Sequence, residues 1–197
     1  MALARGGVVL AEAVEQTGGR GTNAFGLIEK VLADANISHE KIEAVAVGLG
    51  PGSYTGIRAA IAMAQGWQLA RGVKLLGVSS AEAIAAQAQA EKIFGRVNVL
   101  IDAQRAEFYL ATWEISAAAR KEVLSLKIVA GAEVAALKSA GETCLGPELE
   151  KQIFPTATQV ARLAAGRSDF VSGEKLEPIY LRKTSFVKTP VKPSFAA

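Results

Sequence analysis

A chain of 197 residues, half of them hydrophobic, can bury a sizeable core in one domain or two small ones, which excludes an intrinsically disordered chain. Its 22 basic and 19 acidic residues leave a net charge of +3, too mild to announce nucleic-acid binding. Cys144 is the only cysteine, so no intrachain disulfide forms, in keeping with a reducing cytoplasm, and no apolar run is long enough to span a bilayer.

Residues 1–5 lack the basic-then-apolar order of a secretion signal. Leu3-Ala4 reads as the end of a strand, Arg5-Gly6-Gly7 as a turn, and residues 8–15 as the second strand of a hairpin. Asn23 is placed to cap a helix over 24–35, on which Phe25, Ile28, Leu32 and Ala35 share one face. His39, the single histidine, lies in a polar stretch and reads as a solvated loop residue.

Residues 41–71 organise the chain. The β-branched run at 42–47 suits a buried strand, and Gly48-Leu49-Gly50-Pro51-Gly52 then breaks regular structure. Ser53 or Thr55 can cap a helix over 56–69. A strand, a glycine loop and a helix in that order can aim backbone N–H groups at an anion, through Gly50, Gly52, Ser53, Thr55 and Gly56; the loop equally suits a tight turn that lets helix and sheet pack closely. Both common phosphate signatures fail here. No lysine stands where a Walker A loop needs one, and the dinucleotide pattern lacks its third glycine from either start. On the helix, Ile57, Ile61 and Ala64 form one stripe, and Ala62, Gly66 and Ala70 form another of small residues that admits a close helix neighbour. Periodicity leaves open which stripe faces outward, and whether Trp67 is a core residue or a partner anchor.

Farther along, 75–78 reads as a strand and 80–90 as an Ala-rich helix capped by Ser79 or Ser80. Strands are predicted at 97–101, 107–114 and 122–129, a helix at 132–139, a strand at 143–145, and helical segments at 148–153 and 157–165. From Pro178 the chain reads as an extended basic tail, with Arg182, Lys183, Lys188 and Lys192 lacking an acidic neighbour in sequence.

The run GLGPGSYTGIR at 48–58, with GVSSAEAIA at 77–85, IDAQRAEFY at 101–109 and EPIYLR at 177–182, resembles the TsaB (YeaZ) family, whose members take part in forming threonylcarbamoyladenosine in tRNA. The resemblance implies an α/β fold of two ribonuclease H-like halves of the actin/Hsp70 (ASKHA) kind, with mixed sheets flanked by helices. Residues 1–90 and 91–182 would be the two subdomains and 183–197 the basic tail. The repeat shows in element order and not in sequence identity. The family's first strand, which ends in Asp-Thr-Ser or similar, has no counterpart before Leu3, and the family's histidine-containing segment is replaced by Gly21-Thr22-Asn23.

The resemblance further implies a cytoplasmic, non-catalytic subunit that pairs with the catalytic TsaD subunit, is joined by the TsaE ATPase, meets tRNA through the complex and can homodimerise. Ile57, Ala60, Ile61, Ala64 and Gln65 would lie near the partner interface, and ATP or ADP with Mg would belong to the complex. The competing reading is a nucleotide-binding ATPase or phosphotransferase using loop 48–56 and Asp102; a third is direct tRNA contact by the tail, which predicts steep salt dependence. Asp102 with Glu107 could hold a magnesium-bound phosphate, but Asp102 reads better as a turn residue or a local partner of Arg105. Glu107 and Tyr109 share a strand face as surface contacts. No catalytic residue or resident metal is assigned. A serine triad would have to use His39 without a GxSxG elbow, and Cys144 reads as a buried inert thiol.

Overall fold

The computed structural model describes residues 1–15 and 23–182. It is a mixed α/β fold. A hairpin of β1 (Ala2–Arg5) and β2 (Val8–Glu12) leads to helix α1 (Ala24–Asp34). Then come β3 (Ala44–Gly48), α2 (Tyr54–Arg71), β4 (Lys74–Val78) and α3 (Ser80–Ala90). A meander of β5 (Gly95–Asp102), β6 (Glu107–Ile115) and β7 (Arg120–Ala130) precedes α4 (Gly131–Ser139), β8 (Thr143–Leu145) and α5 (Ala157–Ala164).

The strands form three sheets among the described residues. β1 and β2 pair antiparallel, and β3 and β4 pair parallel. The third sheet runs β7-β6-β5-β8, with β5 antiparallel to β6 and parallel to β8.

Strand alternation decides where the helices lie. Val45 and Val47 of β3 and Leu75 of β4 face Ile57, Ile61 and Ala64 of α2, while Ala46, Leu76 and Val78 face Val160, Leu163 and Ala164 of α5. β3 and β4 are thus covered on both sides, as a parallel pair needs. The packing also crosses residue 90. Ile84, Ala85 and Ala88 of α3 close over Val97, Val99 and Ile101 of β5, whereas α5 reaches back onto β1, β2, β3 and β4.

Local rules set the element ends. Asn23 Oδ1 accepts from the Gly26 N–H at 3.0 Å and starts α1. Gly72, at φ 68°, ends α2 in the left-handed conformation that favours glycine.

Two sequence expectations are corrected. Residues 148–153 are not helical: the Gly146 carbonyl accepts from both Leu149 and Ile153 N–H, and these two side chains are buried as anchors of an irregular segment. The strand expected over 8–15 stops at Glu12. Lys183, Lys188 and Lys192 lie outside the described residues.

Arg167 joins α3 to the segment after α5, meeting Glu82 at 3.6 Å and Asp169 at 2.5 Å. Its guanidinium holds the Asp169 carboxyl down to about 2, from an ordinary 3.8. A depressed carboxylate contributes stability above its unfolded value and loses it as pH falls through its folded one. Asp169→Asn is therefore expected to be slightly less stable than the parent at neutral pH, with the difference closing as pH falls from 3.8 toward 2. Urea melts at a series of pH values check this, and an Asp169 NMR titration midpoint near 3.8 would contradict it.

Candidate partner-facing site

The four sequence segments that carry the resemblance meet in space around loop 49–53. Leu49 N–H donates to the Val78 carbonyl at 2.8 Å, and Ser80 N–H donates to the Gly50 carbonyl at 2.8 Å. On the other side Ile179 N–H donates to the Leu49 carbonyl at 2.9 Å. The same C-terminal segment then reaches the β5–β6 turn, where Arg182 Nη2 donates to the Ala103 carbonyl at 2.8 Å and to Glu107 Oε2 at 2.6 Å. Arg182, which lacks an acid in sequence, finds one across the fold.

Within the loop only Gly50, at φ 90°, occupies the region that requires glycine, and its peptide bond to Pro51 is cis. Gly50 and Pro51 are buried, while Gly52, Ser53, Thr55 and Gly56 are exposed at the start of α2. Ser53 is the cap. Its Oγ accepts from Gly56 N–H at 3.3 Å and its carbonyl accepts from Ile57 N–H at 2.9 Å. Of the five loop amides offered to an anion, that of Gly56 is thus engaged within the protein.

Helix α2 has two unlike faces. Ile61 and Ala64 are buried, and Ile57 and Trp67 pack against the same core. Gln65 and Gln68 grip the turn at Gly173: Gln65 Nε2 donates to the Gly173 carbonyl at 2.7 Å, and Gly173 N–H donates to Gln68 Oε1 at 2.6 Å. Of the five residues expected near a partner, Ile57, Ile61, Ala64 and Gln65 thus point into the protein, and Ala60 alone is exposed. The sheet takes Ile57 and Ile61, which carry Ala64 inward on the same helix face. Thr55, Ala59, Ala62, Gly66 and Leu69 form the outward stripe, with Leu69 91% exposed. At its N-terminal end Arg58 Nη1 donates to Tyr54 Oη at 2.8 Å, and Tyr54 lies against Tyr180, with ring centroids 6.0 Å apart. Sequence reasoning missed this aromatic cluster; the tyrosines in GSYTGIR and EPIYLR were the available signal.

Asp102 is a turn residue. Gln104 N–H donates to its Oδ1 at 2.8 Å and Gln104 Nε2 to its Oδ2 at 2.5 Å. Its partner is Gln104, not Arg105. The turn is strained: Gln104, Arg105 and Ala106 stand at φ 63°, 59° and 58°. Ala106→Gly should relieve one of these positions. The gain is partly offset by added unfolded-state freedom, leaving the chain about 0.5 kcal/mol more stable. A thermal melt checks this, with a rise of about 1–2 °C expected; a fall would mean that the left-handed turn is not strained.

His39 is exposed, as expected. It opens a short 3-10 turn, where its Nε2 lies 3.1 Å from Glu29 Oε1 and its ring 6.0 Å from that of Trp67. Cys144 is half-buried, and burial pushes its thiol pKa up, which disfavours the reactive thiolate. Among the described residues no three His, Cys, Asp or Glu side chains group as a metal site requires, and no helix is long and apolar enough to cross a membrane.

A family model described as TsaD, tRNA N6-adenosine threonylcarbamoyltransferase, matches residues 20–189. Among curated proteins, the tRNA threonylcarbamoyladenosine biosynthesis protein TsaB of Escherichia coli is 35% identical over 88 residues, 45% of this chain and 38% of that protein. The chain belongs to the TsaD-type family, in its TsaB (YeaZ) branch. An uncharacterized protein of Mycobacterium tuberculosis is 40% identical over 82 residues, 42% of this chain and 36% of that protein. The matched stretch thus spans under two-fifths of either curated relative. YeaZ from Pseudomonas aeruginosa superposes with a TM-score of 0.68 at 24% identity, covering 81% of this chain and 84% of that one. This likeness shows that the TsaB-family chain shares the YeaZ fold.

Proposed function

We propose that this TsaB-family chain is a non-catalytic subunit in the formation of threonylcarbamoyladenosine on tRNA. It docks onto a catalytic TsaD-type subunit through the outward face of α2, and a TsaE-like ATPase joins the pair. The observation that carries the reading is the stripe Thr55, Ala59, Ala62, Gly66 and Leu69. It places small side chains where a helix from a partner can approach closely, with an exposed leucine at one end and the Tyr54–Tyr180 cluster at the other. The hub of hydrogen bonds around Leu49 and Gly50 fixes the start of α2 and so holds this face rigid. The same stripe can pair two copies of the chain when the TsaD-type subunit is absent. Nucleotide and magnesium would be held by the assembled complex.

The test is light scattering after size exclusion, on the chain alone and mixed with the TsaD-type protein of the same organism. A one-to-one species that appears on mixing supports the reading. A chain that ignores the TsaD-type protein, while keeping its native circular dichroism and a cooperative melt, would overturn it.

A further inference from the structure

Between α3, α5 and the start of β7 lies a cavity of about 260 Å³. Gln89, Arg120, Gln159 and Arg162 supply its polar lining, with Ala86 and Leu163 as apolar surface. α5 covers the side of β3 and β4 opposite α2, so this cavity and the outward stripe of α2 are separate surfaces. The positive charges of the cavity are uncompensated. Among the described residues neither Arg120 nor Arg162 has a carboxylate partner, whereas Arg71, Arg96, Arg167 and Arg182 each have one. Glu91, one residue past α3, is already engaged by Lys151 at 3.8 Å and by Gln87.

Two relays of amides fix what the cavity presents. An ionised Glu91 carboxylate can only accept, so Gln87 turns its Nε2 toward it, at 2.8 Å. Gln87 Oε1 then accepts from Gln159 Nε2 at 2.8 Å. This leaves Gln159 Oε1, on a residue only 5% exposed, as an acceptor in the cavity lining without a partner among the described residues. On the other wall Gln89 Nε2 donates to the Ser116 and Ala117 carbonyls at 2.6 and 3.5 Å, so its Oε1 accepts from Arg120 Nη1. Arg120 is thereby held through one N–H and keeps the others for a ligand. Arg162 is exposed and keeps its whole fork.

Two guanidinium groups from different elements and one lone acceptor define their complement, an anion with a hydroxyl beside it. A carboxylate has two oxygens in one plane, which a single guanidinium satisfies. A phosphate spreads its oxygens about a tetrahedron and can take both. We propose that this cavity binds a small phosphate ester that carries a hydroxyl next to the ester carbon. Arg120 and Arg162 engage the phosphate, the hydroxyl donates to Gln159 Oε1, and the carbon chain lies against Ala86 and Leu163. The volume is below that of a drug-sized site and suits a unit such as glycerol phosphate or ribose phosphate. The backbone of RNA, a phosphodiester beside a 2′-hydroxyl, offers the same chemistry.

Isothermal titration of the full chain, in phosphate-free buffer at low salt, tests this with glycerol 3-phosphate, ribose 5-phosphate and propyl phosphate, which lacks the hydroxyl. The two hydroxylated esters are expected to bind with dissociation constants below about 1 mM, and about fivefold more tightly than propyl phosphate. Arg162→Gln should weaken them about tenfold or more with an unchanged melt, because Arg162 is exposed. Lys121→Gln removes the same charge from the opposite face of β7 and should leave binding as it was. Competition separates the two sources of the ester. A short RNA that displaces glycerol 3-phosphate, where DNA of the same sequence does not, identifies an RNA backbone as the ligand, and displacement by neither identifies a free ester. Failure of both hydroxylated esters to bind overturns the proposal. So do equal binding of propyl phosphate, equal displacement by DNA and RNA, binding that survives Arg162→Gln, and equal losses in the two variants.

Discussion

Ala62→Trp is expected to abolish pairing with the TsaD-type subunit while leaving the fold intact. Ala62 stands in the middle of the outward stripe of α2, flanked at helical spacing by Ala59 and Gly66. An indole there holds a partner helix away from every small residue at once, so the loss is steric and not confined to one contact. Affinity should fall at least 100-fold, about 2.7 kcal/mol. Because the position is exposed, the melting temperature should stay within about 2 °C of the parent. Ala64→Trp separates the two roles of the helix. Ala64 is 3% exposed and packs with Val47, Ile61 and Leu75, so an indole there should damage the fold itself. Isothermal titration and thermal melts on both variants distinguish them. A62W that binds normally would show that the outward stripe is not the docking face.

Gly146→Ala is expected to be the most damaging single methyl among the described glycines. A Cβ at Gly146 would press into the backbone of Leu100, far inside normal contact with its carbonyl oxygen and 3.0 Å from its carbonyl carbon. Leu100 lies in the middle of β5, which is held by β6 on one side and β8 on the other, so the carbonyl cannot withdraw without breaking a ladder. The cost should reach about 3 kcal/mol, seen as a melting temperature about 10 °C lower. Gly77→Ala is the control. Its Cβ would also collide, but with the end of the Leu49 side chain, whose Cγ is 2.7 Å away and can rotate. That substitution should cost about 1 kcal/mol. Equal effects of the two would refute the argument that the nature of the obstructing atom decides the outcome.

What the sequence made legible is local. Ser53 as a cap follows from its place before the helical run, and the strand-loop-helix unit follows from a β-branched run broken by glycines. The orientation of α2 was less accessible, because alanine belongs equally to a core and to an interface. The isoleucines were the usable signal: they went in with Ala64, and the stripe with glycine went out although it ends in Leu69. Asp102 was half legible. Its turn role was expected, but its grip by Gln104 depends on three successive left-handed residues that no ordinary propensity favours. Arg182 could not be placed from sequence at all, since its partner Glu107 is 75 residues away. Residues 148–153 misled because the apolar spacing of Leu149 and Ile153 mimics a helix, while the Gly146 carbonyl instead gathers both amides.

The hydrogen bonds that close the hub have a consequence for the order in which the molecule assembles. The meander from Gly95 to Ala130 is stitched by neighbours in sequence and can form early. The carbonyl of Leu49, by contrast, waits for the amide of Ile179, and the turn at Ala103 waits for Arg182. Closing such distant ends carries a large loop entropy and places these contacts late in folding, with those of α5 on β1 and β2. The start of α2 therefore becomes rigid only after nearly the whole of the described chain has been made. A partner that recognises the rigid helix end discriminates finished chains from nascent ones, without any dedicated checkpoint.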